Sequence, residues 1–321
     1  MSSPQDTNIS QTIIVTGSNT GLGLEAARHF TRLNASRVIL AVRSTSKGES
    51  AAESITTSTK RDGVVEVWTL DLSSYDSVKA FADRVIGLPR LDAVVENAGI
   101  ARDQWVWSSN VVNGKDLGGE STIVTNVIST FLLAWLVLPK LQETARKFNR
   151  TTRLGIVTSE VHFFTQLPEK EQKSILDAVN DEKTARMFDR YNVSKLLEVL
   201  YIRRFAAALP VNEKGVAITM LNPGLCHSEL AREASWGLAV MKFFLARTTE
   251  VGSRTLVDSV TDGQGKKEGP EQRHGQYLSD CHVAPVSALV TGPEGPELEK
   301  RVWGEVNEVL EKIVPGVTSK A

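Results

Sequence analysis

The sequence predicts an α/β fold, a doubly wound parallel sheet with helices packed on both faces, and two observations carry that prediction. Short apolar, β-branched runs alternate with longer helix-like stretches, and a glycine-rich turn follows the first run. Strand, helix, strand in regular alternation argues for βαβ units and a sheet covered on both sides. Right-handed crossovers then give a Rossmann-type sheet that binds its ligand at the carboxyl ends of the strands. One domain is expected over residues 1–321, with a core of about 12–315 and loosely held tails outside it.

Taken in order, the strand-like runs are Thr12–Val15, Arg37–Val42, Val64–Leu70, Leu91–Val95, Leu154–Thr158 and Val216–Leu221. The helix-like stretches between them include Leu22–Leu33, Ser74–Val85, Thr122–Phe148 and Val193–Leu209. Two polar stretches, Phe163–Arg190 and Thr261–Arg273, interrupt the rhythm; the first reads as partly helical and the second as an exposed loop. The apolar stretch Val127–Leu138 is too short to span a bilayer, which takes roughly 20 residues. It reads as a helix buried in the core or in a subunit interface.

Bulk properties narrow the class further. A formal net charge of -1 gives no electrostatic reason to expect nucleic acid or an anionic membrane as the main partner. Two cysteines, Cys226 and Cys281, make neither a disulfide framework nor a metal-ligand spacing, so no metal is expected. Residues Met1–Ser10 are polar and lack a basic stretch leading into an apolar run. A cytoplasmic protein without a membrane anchor is the expectation.

The turn after the first run is Thr16-Gly17-Ser18-Asn19-Thr20-Gly21-Leu22-Gly23. Glycines at this point permit positive φ and let the backbone approach a pyrophosphate closely. The helix N-terminus beyond them offers unpaired N–H groups and a positive dipole end. Residues 17–23 are therefore expected to bind a dinucleotide. The end of the second run decides which one. An acid there would accept a ribose 2′-hydroxyl and repel a 2′-phosphate. This chain has Arg43 and Ser44 instead, and a guanidinium grips phosphate, so NADP(H) is the expected cofactor.

A Tyr-x-x-x-Lys pair, Tyr191 and Lys195, lies in the segment before Leu209. Residues four apart share a helix face, so hydroxyl and ammonium can enter one site. A neighbouring cation eases ionisation of a phenol and brings it toward acid–base work. Ser159 ends the fifth run, and Asn126 lies within the long middle helix. Read alone, the serine is a turn or cap residue and the asparagine a local backbone partner.

The glycine spacing Thr-Gly-x-x-x-Gly-x-Gly resembles the short-chain dehydrogenase/reductase family in its single-domain form. The rest follows in that family's order: Asp71-Leu72, Asn97-Ala98-Gly99, Asn126, Ser159, Tyr191 with Lys195, and Pro223-Gly224-Leu225 leading to Ser228. The resemblance spans roughly Thr12–Ser228 and is nearest to retinol-dehydrogenase-like members and to ketoreductases of fungal secondary metabolism. It implies that Asp71 and Leu72 meet the adenine, that Asn97–Gly99 border the cofactor, and that Lys195 binds the nicotinamide ribose. It implies that Pro223, Gly224, Leu225 and Ser228 lie near the nicotinamide. It further implies that Ser159 holds the substrate oxygen, that Tyr191 exchanges a proton with it, and that Asn126 holds a water beside Lys195. Glu96 stands where the family commonly has asparagine, and Ser228 where it has threonine.

The expected activity is an NADPH-dependent reduction of a carbonyl, or the reverse alcohol oxidation. Leu225–Arg247, with Trp236, Leu238, Met241, Phe243, Phe244 and Leu245, reads as an apolar substrate lid or as an ordinary packed helix. Trp105 and Trp107 are expected to wall the same pocket, which favours a lipophilic or aromatic ketone over a sugar. Partners are then a small carbonyl or alcohol substrate and a second copy of the chain in a homodimer. Two rival functions stand beside this one: a non-redox isomerase or dehydratase on the same scaffold, and a cofactor-binding regulatory protein. Cys226 and His227 are adjacent with no third group in view, so no nucleophile–base pair is assigned to them.

Overall fold

A computed structural model describes residues 11–226, 247–261 and 269–319. Along the chain run β1 (Thr12–Thr16), α1 (Gly21–Arg32), β2 (Arg37–Val42), α2 (Thr45–Thr59), β3 (Val65–Thr69), α3 (Tyr75–Ile86) and β4 (Ala93–Glu96). A long helix α4 (Ser121–Phe148) leads to β5 (Thr152–Val157). Then come α5 (Met187–Ala208), β6 (Val216–Asn222), α6 (Thr249–Ser259), β7 (Tyr277–Ser279), β8 (His282–Ala284) and α7 (Gly295–Ile313).

The strands form one eight-stranded sheet in the order β8-β7-β6-β5-β4-β1-β2-β3. All neighbours are parallel except β7 and β8. The chain builds outward from β1 through β2 to β3, then returns to lay β4 on the other side of β1. That reversal is the topological switch point, where the carboxyl ends of an open sheet leave a crevice. Both faces are covered, so the strands are apolar on both sides. Ile13, Val15, Val38, Leu40 and Val95 face α1, α2 and α6, while Ile14, Ile39, Val94 and Ile156 face α3, α4 and α5.

Nearly all of Val127–Leu138 is buried within the chain itself, so this apolar stretch is core and not a subunit interface. The end of the chain departs from expectation. Beyond Pro315, Val317 is buried, and the Glu311 carboxylate accepts from the Gly316 and Thr318 backbone N–H groups. The helix before it carries Trp303 onto Tyr201, Trp135 and Phe205 of α5 and α4. Apolar anchoring thus holds down a segment that composition alone marks as a loose tail. The stretch 163–190 is partly helical as expected, with short turns at Pro168–Glu171 and Ile175–Val179. Of 261–273, residues 262–268 lie outside the described residues, and Pro270–Arg273 is a helical turn.

Candidate active site

The glycine turn is shaped by close approach. Gly17 has φ +64°, and a Cβ there would sit 3.0 Å from the Ala98 Cα. At Gly23 a Cβ would lie 2.6 Å from the Gly17 carbonyl oxygen and 2.7 Å from Asn97 Nδ2. The residues themselves leave no room for side chains, which is the condition for a backbone cradle. Thr20 precedes α1 in extended conformation with no side-chain cap, and no acid occupies the first turn. The first N–H groups of a 12-residue helix thus have no protein side chain to satisfy them, as an incoming phosphate requires. The residues present fit a dinucleotide.

Other predicted residues of this half turn out to support the cradle. Ser18 is fully buried and donates its hydroxyl to the Val15 carbonyl. Thr16, which the sequence offers only as a strand end, is the pin. Its Oγ1 accepts from both the Asn97 and Ala98 backbone N–H groups at 2.9 Å. Asn97 Nδ2 donates to the Thr16 carbonyl, so the ends of β1 and β4 are tied together across the switch point. Asn19, Thr20, Gly21 and Leu22 line the same turn, and Leu22 packs against the sheet face that carries α1.

At the far side, Arg43 stands exposed at the end of β2 with no ion pair among the described residues, and Ser44 caps α2. Asp71 turns one carboxylate oxygen onto Ser73, whose N–H and hydroxyl both donate to it, and Leu72 is buried. Asp71 therefore has the local capping role, and Ser74 caps α3.

Ser159, Tyr191 and Lys195 meet at the ends of β4 and β5. Ser159 follows β5, accepting from the Val161 N–H at 3.4 Å, and its own carbonyl meets His162 Nδ1 at 2.7 Å. His162 is fully buried, and its other nitrogen faces the Ser287 N–H at 3.3 Å. This histidine fixes the backbone of the serine, a role nothing in the sequence signals. Tyr191 and Lys195 share a face of α5, with Lys195 Nζ 5.7 Å from the tyrosine ring centroid. Burial pushes the Tyr191 phenol above its ordinary value. The Lys195 charge and a hydrogen bond with Ser159 pull the other way, and Glu198 adds to the rise.

Lys195 Nζ donates to the Val157 carbonyl at 2.9 Å and to the two Glu198 carboxylate oxygens at 2.8 and 3.1 Å. Burial works against the ammonium, yet Glu198 and Tyr191 hold its pKa above the ordinary lysine value. Glu198 itself is pushed up to about 7 by burial, with Lys195 opposing. Sequence reasoning misses it, because a glutamate three residues past the lysine looks like a helix surface residue. Glu96, at the end of β4, is buried with neither carboxylate oxygen hydrogen-bonded, and burial followed by Glu198 raises its pKa well above the carboxylate range.

Asn126 is fixed by hydrogen bonds on both sides of its amide. It sits in a wide π-type turn over Val124–Ser129, an irregularity that often marks a functional position. Its oxygen accepts from the Ile100 N–H, and its amide donates to the Ile100 carbonyl and to Ser194 Oγ. Both amide protons are therefore spent on bracing the loop after Gly99 against α5.

Beyond β6, the Asn222 oxygen accepts from the Glu160 and Gly224 N–H groups, joining the loop after Ser159 to the Pro223-Gly224-Leu225 turn. Gly224 is in the left-handed region, and Arg247 lies over it, paired with Asp280. Ser228 and the residues of the expected lid from 227 to 246 lie outside the described residues. Trp107 does not wall the pocket as expected: it is exposed in a small hairpin, its indole donating to Asp116. Among the described residues no group of histidine, cysteine or acidic side chains is arranged to hold a metal.

Comparison with known proteins agrees with this geometry. The short chain dehydrogenase family model matches residues 11–148. A short chain dehydrogenase/reductase of Cryptosporiopsis sp. (strain 8999) is 48% identical over 316 residues, covering 96% of this chain and 93% of the relative. A short-chain dehydrogenase of Penicillium roqueforti is 40% identical, covering 96% of this chain and 79% of the relative. Among solved structures, an uncharacterized protein from Mycobacterium paratuberculosis superposes with a TM-score of 0.66 over 97% of this chain and 98% of its own, at 24% identity. A short chain dehydrogenase from Salmonella enterica superposes at 0.59 over 87% and 99%, at 20% identity. Identity of this order over almost the whole length, joined to a cradle at the switch point and a tyrosine–lysine pair facing it, makes this chain an oxidoreductase of the short-chain dehydrogenase/reductase family.

Proposed function

We propose that the protein is an NADP(H)-dependent carbonyl reductase acting on a lipophilic or aromatic ketone, and on the corresponding alcohol in reverse. The observation that carries this reading is the convergence of Ser159, Tyr191 and Lys195 at the strand ends beside the glycine cradle. Gly17, Gly21 and Gly23, with Asn19, Thr20 and Leu22, would hold the pyrophosphate. Arg43 and Ser44 would take the 2′-phosphate, for which an unpaired guanidinium with no neighbouring acid at the strand end is suited. Asp71 and Leu72 would border the adenine, while Asn97–Gly99 and Pro223–Leu225 would border the nicotinamide. When bound there, a nicotinamide supplies hydride chemistry.

The chain's own part is to place the substrate oxygen and move one proton. Ser159 Oγ would donate a hydrogen bond to the carbonyl oxygen and stabilise the charge that grows on it. The Tyr191 O–H bond breaks as its proton passes to that alkoxide, leaving a phenolate that the Lys195 ammonium stabilises. Because burial holds the phenol above its ordinary range, it carries its proton at neutral pH, and that suits the reducing direction. Asn126 braces this arrangement from behind. The two relatives come from Cryptosporiopsis and Penicillium, which fits a cytoplasmic ketone reduction in fungal secondary metabolism.

The test is a titration of the protein with NADPH and NADH by tryptophan quenching, followed by a panel of aromatic ketones. Micromolar NADPH binding that survives Tyr191→Phe is expected, together with turnover that falls by about 10²–10⁴ in that variant. Absence of binding by either nucleotide sinks the reading.

A further inference from the structure

An ammonium has three N–H donors, and those of Lys195 face three protein oxygens: one carbonyl of β5 and both carboxylate oxygens of Glu198. Lys195 and Glu198 are both buried, so the pair is screened from water. A carboxylate on the far side of the lysine keeps the buried ammonium charged, yet it also bears on the phenol that the ammonium faces. Glu198 acts against ionisation of that phenol, because its charge favours the protonated tyrosine. A second acid stands behind the first. Glu96 enters from β4, on the sheet face covered by α5, and its two oxygens have no hydrogen-bond partner. The groups facing the pocket are thus Tyr191, Lys195 and Glu198 from α5, Glu96 from β4 and the neutral Asn126 from α4.

We propose that Glu198 is a positioning residue and counter-ion of the site: it holds the Lys195 ammonium and, by being charged or neutral, sets how much of that positive charge the Tyr191 phenol feels. The inference rests on the reading of Tyr191 as the proton donor. With Glu198 charged, the ion pair is close to neutral and the phenol keeps its proton tightly. With Glu198 neutral, the ammonium acts unopposed and the phenol ionises more easily. The buried carboxyl changes charge at about pH 7, and burial, with the Glu198 charge added, also holds the Glu96 pKa well above the carboxylate range. The acidity of Tyr191 is therefore coupled to pH through a group that never touches the substrate.

Titrating the nucleotide-free full chain by phenolate absorbance, with the Tyr191→Phe trace subtracted, isolates the Tyr191 midpoint. Glu198→Gln is expected to lower that midpoint by about one pH unit, a tenfold change in proton affinity. Glu198→Asp, which keeps the charge, should recover at least half of that shift, and Glu96→Gln should leave the midpoint in place. An unchanged Tyr191 midpoint in Glu198→Gln overturns the proposal. If that variant does not fold, carbon-13 NMR of the wild-type and Glu96→Gln chains labelled at the glutamate carboxyl carbons decides. A glutamate titrating near pH 7 both in wild type and in Glu96→Gln supports the counter-ion, and the absence of one in Glu96→Gln overturns it. Neither measurement needs nucleotide or substrate, so NADPH binding by the same samples reports separately on the proposed function.

Discussion

The two halves of the crevice are built on different principles. On the β1–β4 side the features shape the backbone without titrating: glycines without room for a Cβ, an uncapped helix start, and one threonine hydroxyl joining two strands. Where α5 packs over the ends of β4 and β5, the features are side chains whose charge depends on burial: Tyr191, Lys195 and Glu198, with Glu96 of β4 behind them. The first half recognises a ligand that any dinucleotide enzyme shares, so geometry alone suffices. The second must tune a proton, and tuning requires groups taken out of water.

Substitutions that touch one half and spare the other sharpen this contrast. Gly23→Ala should do most. The new methyl meets the Gly17 carbonyl and the Asn97 amide, and a strain of about 1–3 kcal/mol becomes roughly a 10- to 100-fold loss of NADPH affinity by calorimetry. The Tyr191 midpoint should not move. Arg43→Ala comes next, weakening NADPH by about tenfold while leaving NADH unaffected, since one charge-assisted contact is lost. Equal loss for both nucleotides would remove Arg43 from 2′-phosphate recognition.

The smallest effect belongs to the other half and depends on pH. Glu96 and Glu198 bind protons more tightly folded than unfolded, because their folded pKa values lie above the ordinary 4.5. Their contribution to stability is present below about pH 4.5 and is lost as pH rises, through about 7 for Glu198 and through the raised folded pKa of Glu96. Glu96→Gln removes the ionisation of one acid, so the variant should gain about 2–4 °C in Tm over wild type at pH 9 and nothing at pH 4.5. A gain that is the same at both pH values would trace to packing and not to charge.

The same division explains what could be read in advance. The alternation of runs, the glycine turn, Arg43 and the Tyr191–Lys195 spacing are local patterns, and local patterns survive in a linear sequence. Asn97 is legible as a member of the cradle, but its use as a strut appears only when β1 and β4 lie side by side. Thr16 ties strands through partners 81 and 82 residues away, while Glu198 and His162 look like ordinary surface or turn residues until burial shows which groups they hold. Asn126 has the right position, yet its amide is committed to Ile100 and Ser194. The anchored C-terminus escapes composition because its hold comes from Trp303 meeting aromatic residues of two other helices.

The ties across the crevice also carry an order of assembly. Thr16 reaches Ala98 across 82 residues, and Asn222 reaches back to Glu160 across 62. As the chain leaves the ribosome, the first tie closes once β4 has emerged. The second waits for the end of β6, long after Tyr191 and Lys195 have been made. In a growing chain the partners of the first tie are therefore all made while the serine loop still lacks its anchor, and loop closure over such distances is slow. Nucleotide in the cell meets the cradle first, and its binding would draw the nascent sheet toward the native arrangement before the site is complete.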